Sequence, residues 1–273
     1  MQVAVLGPLS VQYHQESIVP TAGKPRQVLA LLTLQAGRTV PKETLMEEIW
    51  GAAPPRSAAT TLQTYILQLR RRITAALPRD ATLRAKDVLT TSFGGYRLAV
   101  EPAAHDLYSF RDLVVGGTAA MEAGDARQAA VLLRDALALW RGPALADIPH
   151  GPLLQLEAIG MEEDRMQVLE QRIRADLMLG RYASLISELR MLTVRHPLNE
   201  NLSAHLMTAL YHLGSPWRAL DEFRRLRETL AGELGVEPTP RLQRLHQAVL
   251  GGDVSGIQRS AGLAGLPGAV LSR

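Results

Sequence analysis

Residues 57–77 read Ser57-Ala58-Ala59-Thr60-Thr61-Leu62-Gln63-Thr64-Tyr65-Ile66-Leu67-Gln68-Leu69-Arg70-Arg71-Arg72-Ile73-Thr74-Ala75-Ala76-Leu77. At about 100° per residue, Leu62, Ile66, Leu69 and Ile73 fall within about 60° of one another, which predicts a helix with a single apolar stripe. Ser57 stands where a side-chain oxygen can cap the first turn. Opposite the stripe lie Thr60, Thr64, Leu67, Gln68 and Arg71, bordered by Gln63 and Arg70 on one edge and by Thr61, Tyr65 and Arg72 on the other. Gln can pair with adenine, Arg with guanine, and Thr methyls can touch thymine, so this outer face suits a DNA major groove. Taken alone, it describes the solvated side of an ordinary helix at least as well.

The flanking sequence favours the first reading. Downstream, Asp87–Ser92 is β-branched and alternating, Gly94-Gly95 is a turn signal, and Tyr96–Val100 alternates again, which predicts a hairpin. Upstream, Val3–Leu6, Leu9-Ser10-Val11 and Ile18-Val19 predict short strands of an antiparallel sheet. Lys24–Gln35 then predicts a helix stopped by Gly37, and Pro41 sits in the first turn of a second helix carrying Leu45, Ile49 and Trp50. The loop Gly51–Arg56 is stiffened by Pro54-Pro55. Strands, three helices and a hairpin in this order predict a winged helix-turn-helix domain over residues 1–104. Its third helix, 57–76, would enter the major groove, and Arg97 on the hairpin would reach the adjacent minor groove. The long loop before that helix points to the response-regulator type of winged helix.

Charge agrees. Residues 1–104 carry 12 Lys and Arg against 7 Asp and Glu, whereas residues 105–273 carry 18 against 20. A basic excess confined to the first part suits a polyanionic partner. On this reading a Gln or Thr contact, such as Gln68, sets sequence preference, and an Arg on phosphate, such as Arg70, sets affinity.

After Pro102 the pattern turns purely helical. Gly124, Gly180 and Gly214 each follow a helix; five residues on stand Ala129, Leu185 and Ala219, and nine residues on stand Leu133, Leu189 and Phe223. The last two glycines are 34 residues apart, the tetratricopeptide period, and the first interval holds 22 more. Three imperfect helix pairs are expected over residues 105–250, forming an all-α domain suited to protein contacts. Gly251–Arg273, rich in Gly, Ser and Ala, is expected to be a disordered tail. The fold class is therefore mainly α with a small β component.

Several functions are disfavoured by composition. The 273 residues include no cysteine, which excludes disulfides, thiolate nucleophiles and cysteine-bound metals. The seven histidines, at 14, 105, 150, 196, 205, 212 and 246, show no metallohydrolase spacing, and no phosphate-binding Gly-Lys-Ser/Thr loop occurs. Neither an enzymatic activity nor a metal or other cofactor is expected. Trp50, Trp140 and Trp217 read as core anchors. With no long apolar run and no charged leader before Leu6, membrane insertion and secretion are not expected, and the protein is placed in the cytoplasm, at the nucleoid.

The runs Gly7-Pro8-Leu9, Lys24–Leu32, Leu45–Gly51, Thr61–Ile66 with Leu69-Arg70-Arg71, and Gly95-Tyr96-Arg97-Leu98 resemble the Streptomyces antibiotic regulatory protein family. Trp140–Pro149 and Glu233–Pro238 are similar to that family's bacterial transcriptional activator domain. The resemblance covers roughly nine tenths of the chain. Phe93-Gly94-Gly95 departs from it, because the family often has a Pro before its Gly-Tyr. The resemblance implies an activator of antibiotic biosynthesis genes that binds direct repeats at promoters, two protomers side by side. It also implies contact with RNA polymerase holoenzyme, through the sigma factor and the C-terminal domain of the polymerase α chain, with Gly51–Arg56 and the helical domain as candidate surfaces. Site residues on this reading are Arg56, Thr60, Thr61, Gln63, Thr64, Tyr65, Gln68, Arg70, Arg71, Arg72 and Arg97. The rival reading is a helical-repeat adapter whose winged helix binds protein.

Overall fold

Short apolar runs punctuated by Gly and Pro become strands β1 (Gln2–Ala4), β2 (Ser10–Tyr13) and β3 (Glu16–Ser17), an antiparallel sheet in which Val3 pairs with Val11. Helix α1 (Gly23–Leu34) follows, then β4 (Thr39–Pro41), α2 (Lys42–Trp50), α3 (Ala58–Ala76), the single turn α4 (Ala85–Val88), β5 (Leu89–Ser92) and β6 (Gly95–Leu98). The chain continues as α5 (Asp106–Glu122), α6 (Ala126–Ala138), α7 (Pro152–Met178), α8 (Tyr182–Arg195), α9 (Glu200–His212), α10 (Pro216–Leu234), α11 (Pro240–Gly251) and α12 (Val254–Ser260). These assignments come from a computed structural model that describes residues 1–78 and 82–260. The fold is mainly α, with a winged-helix region followed by a helical region.

Two units are distinguished: Met1–Val114 with Asp135–Met166, and Val115–Arg134 with Gln167–Arg273. The division expected at 104/105 therefore falls inside the first unit. The physical reason is a set of carboxylates, Glu48 buried and Asp106 and Asp147 more open, that join distant stretches of it. Asp106 accepts from the Val5 and Leu6 N–H groups at 2.9 and 3.0 Å. Asp147 accepts from Leu9 N–H at 2.7 Å and is paired with Arg26. Glu48 of α2, buried, accepts from the N–H groups of Gly151, Leu153 and Leu154 at 2.6–3.1 Å, and so caps α7 from outside. A helix begins with unsatisfied N–H groups, and a carboxylate there is favoured by both hydrogen bonding and the helix dipole. The segment 140–151, an insert in the repeat pattern, carries Trp140, whose ring meets Phe110 edge-on at 5.7 Å. His105 is fully buried: Nε2 lies 3.0 Å from the Thr33 carbonyl, Nδ1 accepts from Leu107 N–H, and burial holds its pKa low.

In the second unit the periodic glycines are the turns. Gly124, Gly180 and Gly214 have φ of +78°, +69° and +72°, a conformation that favours glycine. Every residue five and nine positions later is buried: Ala129, Leu185, Ala219, Leu133, Leu189 and Phe223. Asp176, 3% exposed, accepts from Arg134, Arg172 and Arg181, and Arg172 also pairs with Glu188, so the buried charge is fully matched.

Several expectations are corrected. Pro41 belongs to β4, which pairs with β6, and stands before α2 rather than inside it. Ala85–Val88 is helical, so β5 starts at Leu89 rather than Asp87. Trp217 is 64% exposed, with the Arg218 guanidinium 5.2 Å from its ring centre, and is no core anchor. Residues 254–260 form α12, with Ile257 buried, where Asp253 caps Gly256 N–H; chain order therefore extends past Gly251. The remainder of the expected tail, 261–273, lies outside the described residues.

Candidate nucleic-acid interface

The apolar stripe of α3 is closed: Leu62, Ile66, Leu69 and Ile73 are all at most 2% exposed. The opposite face is open. Thr60, Gln63, Thr64, Leu67, Gln68 and Arg71 are exposed, Leu67 at 49%, which repeats along more than two turns. Thr64 Oγ1 donates to the Thr60 carbonyl at 3.1 Å. Ser57 occupies the N-cap position, but its side chain makes no cap hydrogen bond; its carbonyl accepts from Thr61 N–H at 2.9 Å.

Not every expected site residue shares this face. Arg70 is half-buried, and its guanidinium donates to the Leu89 carbonyl at 3.0 and 2.7 Å and to Thr91 Oγ1 at 2.8 Å. Its guanidinium is thus engaged by the hairpin and does not project from the outer face of α3. Tyr65, also half-buried, stacks on Trp50 with ring centres 6.4 Å apart and planes 18° from parallel, while Lys24 Nζ sits 5.4 Å from the same indole. Thr61 and Arg72 are half-buried at the border, as their position on the wheel requires. Arg56 is exposed at the end of the proline loop, where residues 52–56 are all exposed and Gly51 adopts φ +62°.

The hairpin is a three-stranded sheet in the order β4-β6-β5. Arg97 is exposed on β6 between Thr39 and Thr90, while its neighbours Tyr96 and Leu98 are buried. Gly95 is there because β4 passes so close: a Cβ at this position would collide with the Val40 carbonyl. The turn Phe93-Gly94 projects beyond the sheet, and Lys42 N–H donates to the Gly94 carbonyl at 2.9 Å. Asp87 is the carboxylate nearest in sequence; the Arg84 N–H that it accepts at 2.9 Å holds its pKa below the ordinary range. Sequence periodicity found the α3 face and missed the exposure of Phe93 at the local turn, β4, which pairs with distant β6, and the Arg70 link to the hairpin.

Among the described residues, no cluster of His, Asp and Glu could hold a metal ion, and no helix is long and apolar enough to cross a membrane.

Comparison with known proteins places this geometry in context. The chain matches the bacterial transcriptional activator domain over residues 105–250 and the C-terminal domain of transcriptional regulatory proteins over residues 15–98. It is 50% identical to the regulatory protein DnrI of Streptomyces peucetius, over 95% of each chain. It is 37% identical to the regulatory protein AfsR of Streptomyces griseus over 93% of this chain but only 25% of that longer one. A solved structure of Mycobacterium tuberculosis EmbR, in complex with a low-affinity phosphopeptide, superposes with a TM-score of 0.86 at 30% identity, covering 96% of this chain and 68% of that one.

Proposed function

Because the chain belongs to the Streptomyces antibiotic regulatory protein family of DNA-binding transcriptional activators, we propose that it switches on antibiotic biosynthesis genes by binding direct repeats at their promoters and recruiting RNA polymerase. The observation that carries this reading is the exposed face of α3, with hydroxyl, amide and guanidinium groups over a sealed apolar stripe. In the complex, Gln68, Gln63 and the Thr60 and Thr64 methyls read base edges, and Arg71, Arg56 and Arg72 neutralise phosphates. Arg97 lies along the minor groove beside the wing. Arg70 and Tyr65 act from behind, Arg70 by fixing the hairpin against α3 and Tyr65 by bracing α2 through Trp50. Two protomers lie head to tail on the repeat. The exposed proline loop 52–56 and the helical region meet the polymerase, at the sigma factor and the C-terminal domain of the polymerase α chain.

The test is a gel-shift and footprint titration of the full chain on a promoter library at 50 and 200 mM salt. Six to ten phosphate contacts predict an affinity loss of about 10³ to 10⁵ across that interval. Gln68→Ala should flatten sequence preference by about 5- to 150-fold while leaving nonspecific binding nearly intact. Arg71→Ala should weaken all sites and lower the salt slope by about one. Absence of preference for any sequence in the wild-type chain would overturn the reading in favour of a protein-binding adapter.

A further inference from the structure

Phe93 is the most exposed large apolar side chain among the described residues, at full exposure where the others range from 38 to 70%. It stands at the first position of the two-residue turn between Ser92 and Gly95, which pair across the hairpin. Gly94 behind it takes φ +75° with open space around its Cα. The base of the turn is held from three sides. Lys42 N–H bonds the Gly94 carbonyl, Arg70 bonds Leu89 and Thr91, and β4 closes on Gly95. A bare phenyl ring is thus presented on a rigid stem that α3 itself orients.

A ring held in water forgoes the stabilisation that burial would give it, so the turn calls for an occupant with an apolar interior. Charge says which kind. Residues 88–100 contain no carboxylate and one cation, Arg97; of the carboxylates at the borders of this segment, Asp87 is engaged by Arg84 and Glu101 lies beyond β6, and Lys42, followed by Glu43, flanks the turn. That setting suits an apolar slot walled by phosphates. Resting on the DNA-binding reading above, we propose that Phe93 is a wedge that enters the minor groove next to the segment read by α3, packs on sugar and base edges, and partly unstacks one base step. Minor-groove proteins use Phe, Leu or Ile in this way, kinking the duplex by about 20 to 90°. Arg97, set back on the strand, then pairs with phosphate along the groove rather than leading into it.

The experiment uses the full chain and a duplex bearing the repeat it selects from a random library, with 2-aminopurine placed in turn at each step flanking the α3 segment. Wild type should raise the fluorescence at one step. Phe93→Ala should abolish that rise and weaken binding about ten- to hundredfold, with the same selected repeat and the same salt slope; Phe93→Leu should restore part of both. The side chain is fully exposed, so neither variant threatens folding. Equal affinity and an unchanged fluorescence rise in Phe93→Ala would overturn the wedge while leaving α3 recognition standing. Normal DNA binding with failed transcription by added polymerase would likewise overturn it, assigning the ring to a protein contact. Failure of the wild-type chain to select any repeat would instead remove the DNA-binding reading on which the wedge depends.

Discussion

Adjacent arginines in α3 point in opposite directions. Arg71 faces outward, whereas Arg70 turns back to the Leu89 carbonyl and Thr91. Arg70→Ala should therefore reduce specific affinity by freeing the wing, about tenfold, yet leave the salt slope unchanged, because no phosphate contact is lost. Arg70→Lys should restore little, since an ammonium cannot span the carbonyl and hydroxyl as the planar fork does. Gel shifts at several salt concentrations separate this outcome from that of Arg71→Ala. His205 gives a second residue-scale prediction. It is 4% exposed, and burial, aided by Arg241 and Arg174, pushes its pKa down to about 4 from an unfolded value of 6.5. The unfolded chain binds the proton first, so the contribution is complete above pH 6.5 and is lost as pH falls towards 4, at about 1.4 kcal/mol per pH unit. His105, His212 and His246 are shifted in the same direction. In urea titrations between pH 7.5 and 4.5, His205→Asn should flatten part of that dependence.

At the scale of elements, helices proved far more readable than their partners. The four-residue rhythm of Leu62, Ile66, Leu69 and Ile73 marks a buried stripe because helix geometry is local. The glycine offsets around 124, 180 and 214 likewise reported turns and the packing positions behind them. By contrast, three-residue β4 carries no pattern of its own; it exists because β6, over fifty residues away, pairs with it. The outer face of α3 was legible as chemistry, while the inward turn of Arg70, the stacking of Tyr65 and the projection of Phe93 needed the fold. Exposure of Trp217 was missed because a helix with a clear apolar stripe can still carry in its first turn an aromatic residue that faces out. Gly95→Ala tests the β4 contact directly. With backbone on the other side of the clash, the sheet must open, at about 1 to 3 kcal/mol. A lower urea midpoint together with weakened DNA binding is expected; retention of both would mean that β4 yields easily.

On the scale of the whole molecule, the first unit draws on widely separated stretches, ending at Met166. A fragment of residues 1–104 would leave the Val5, Leu6 and Leu9 N–H groups without Asp106 and Asp147, and would strand the Glu48 carboxylate in an emptied site. Such a fragment should lack a cooperative thermal transition, whereas the full chain should melt cooperatively; circular dichroism distinguishes the two. In the full chain, Glu48→Ala orphans the first N–H groups of α7 and should cost about 2 to 4 kcal/mol in urea unfolding. The same carboxylates set a clock on biosynthesis. After Ala104 leaves the ribosome, the winged helix still waits for roughly sixty residues, an interval of about 3 to 12 s at ordinary elongation rates of about 5 to 20 residues per second. During that interval the Leu9 N–H waits for Asp147 and the Glu48 carboxylate waits for the start of α7, so the nascent first unit should stay incomplete until those residues emerge.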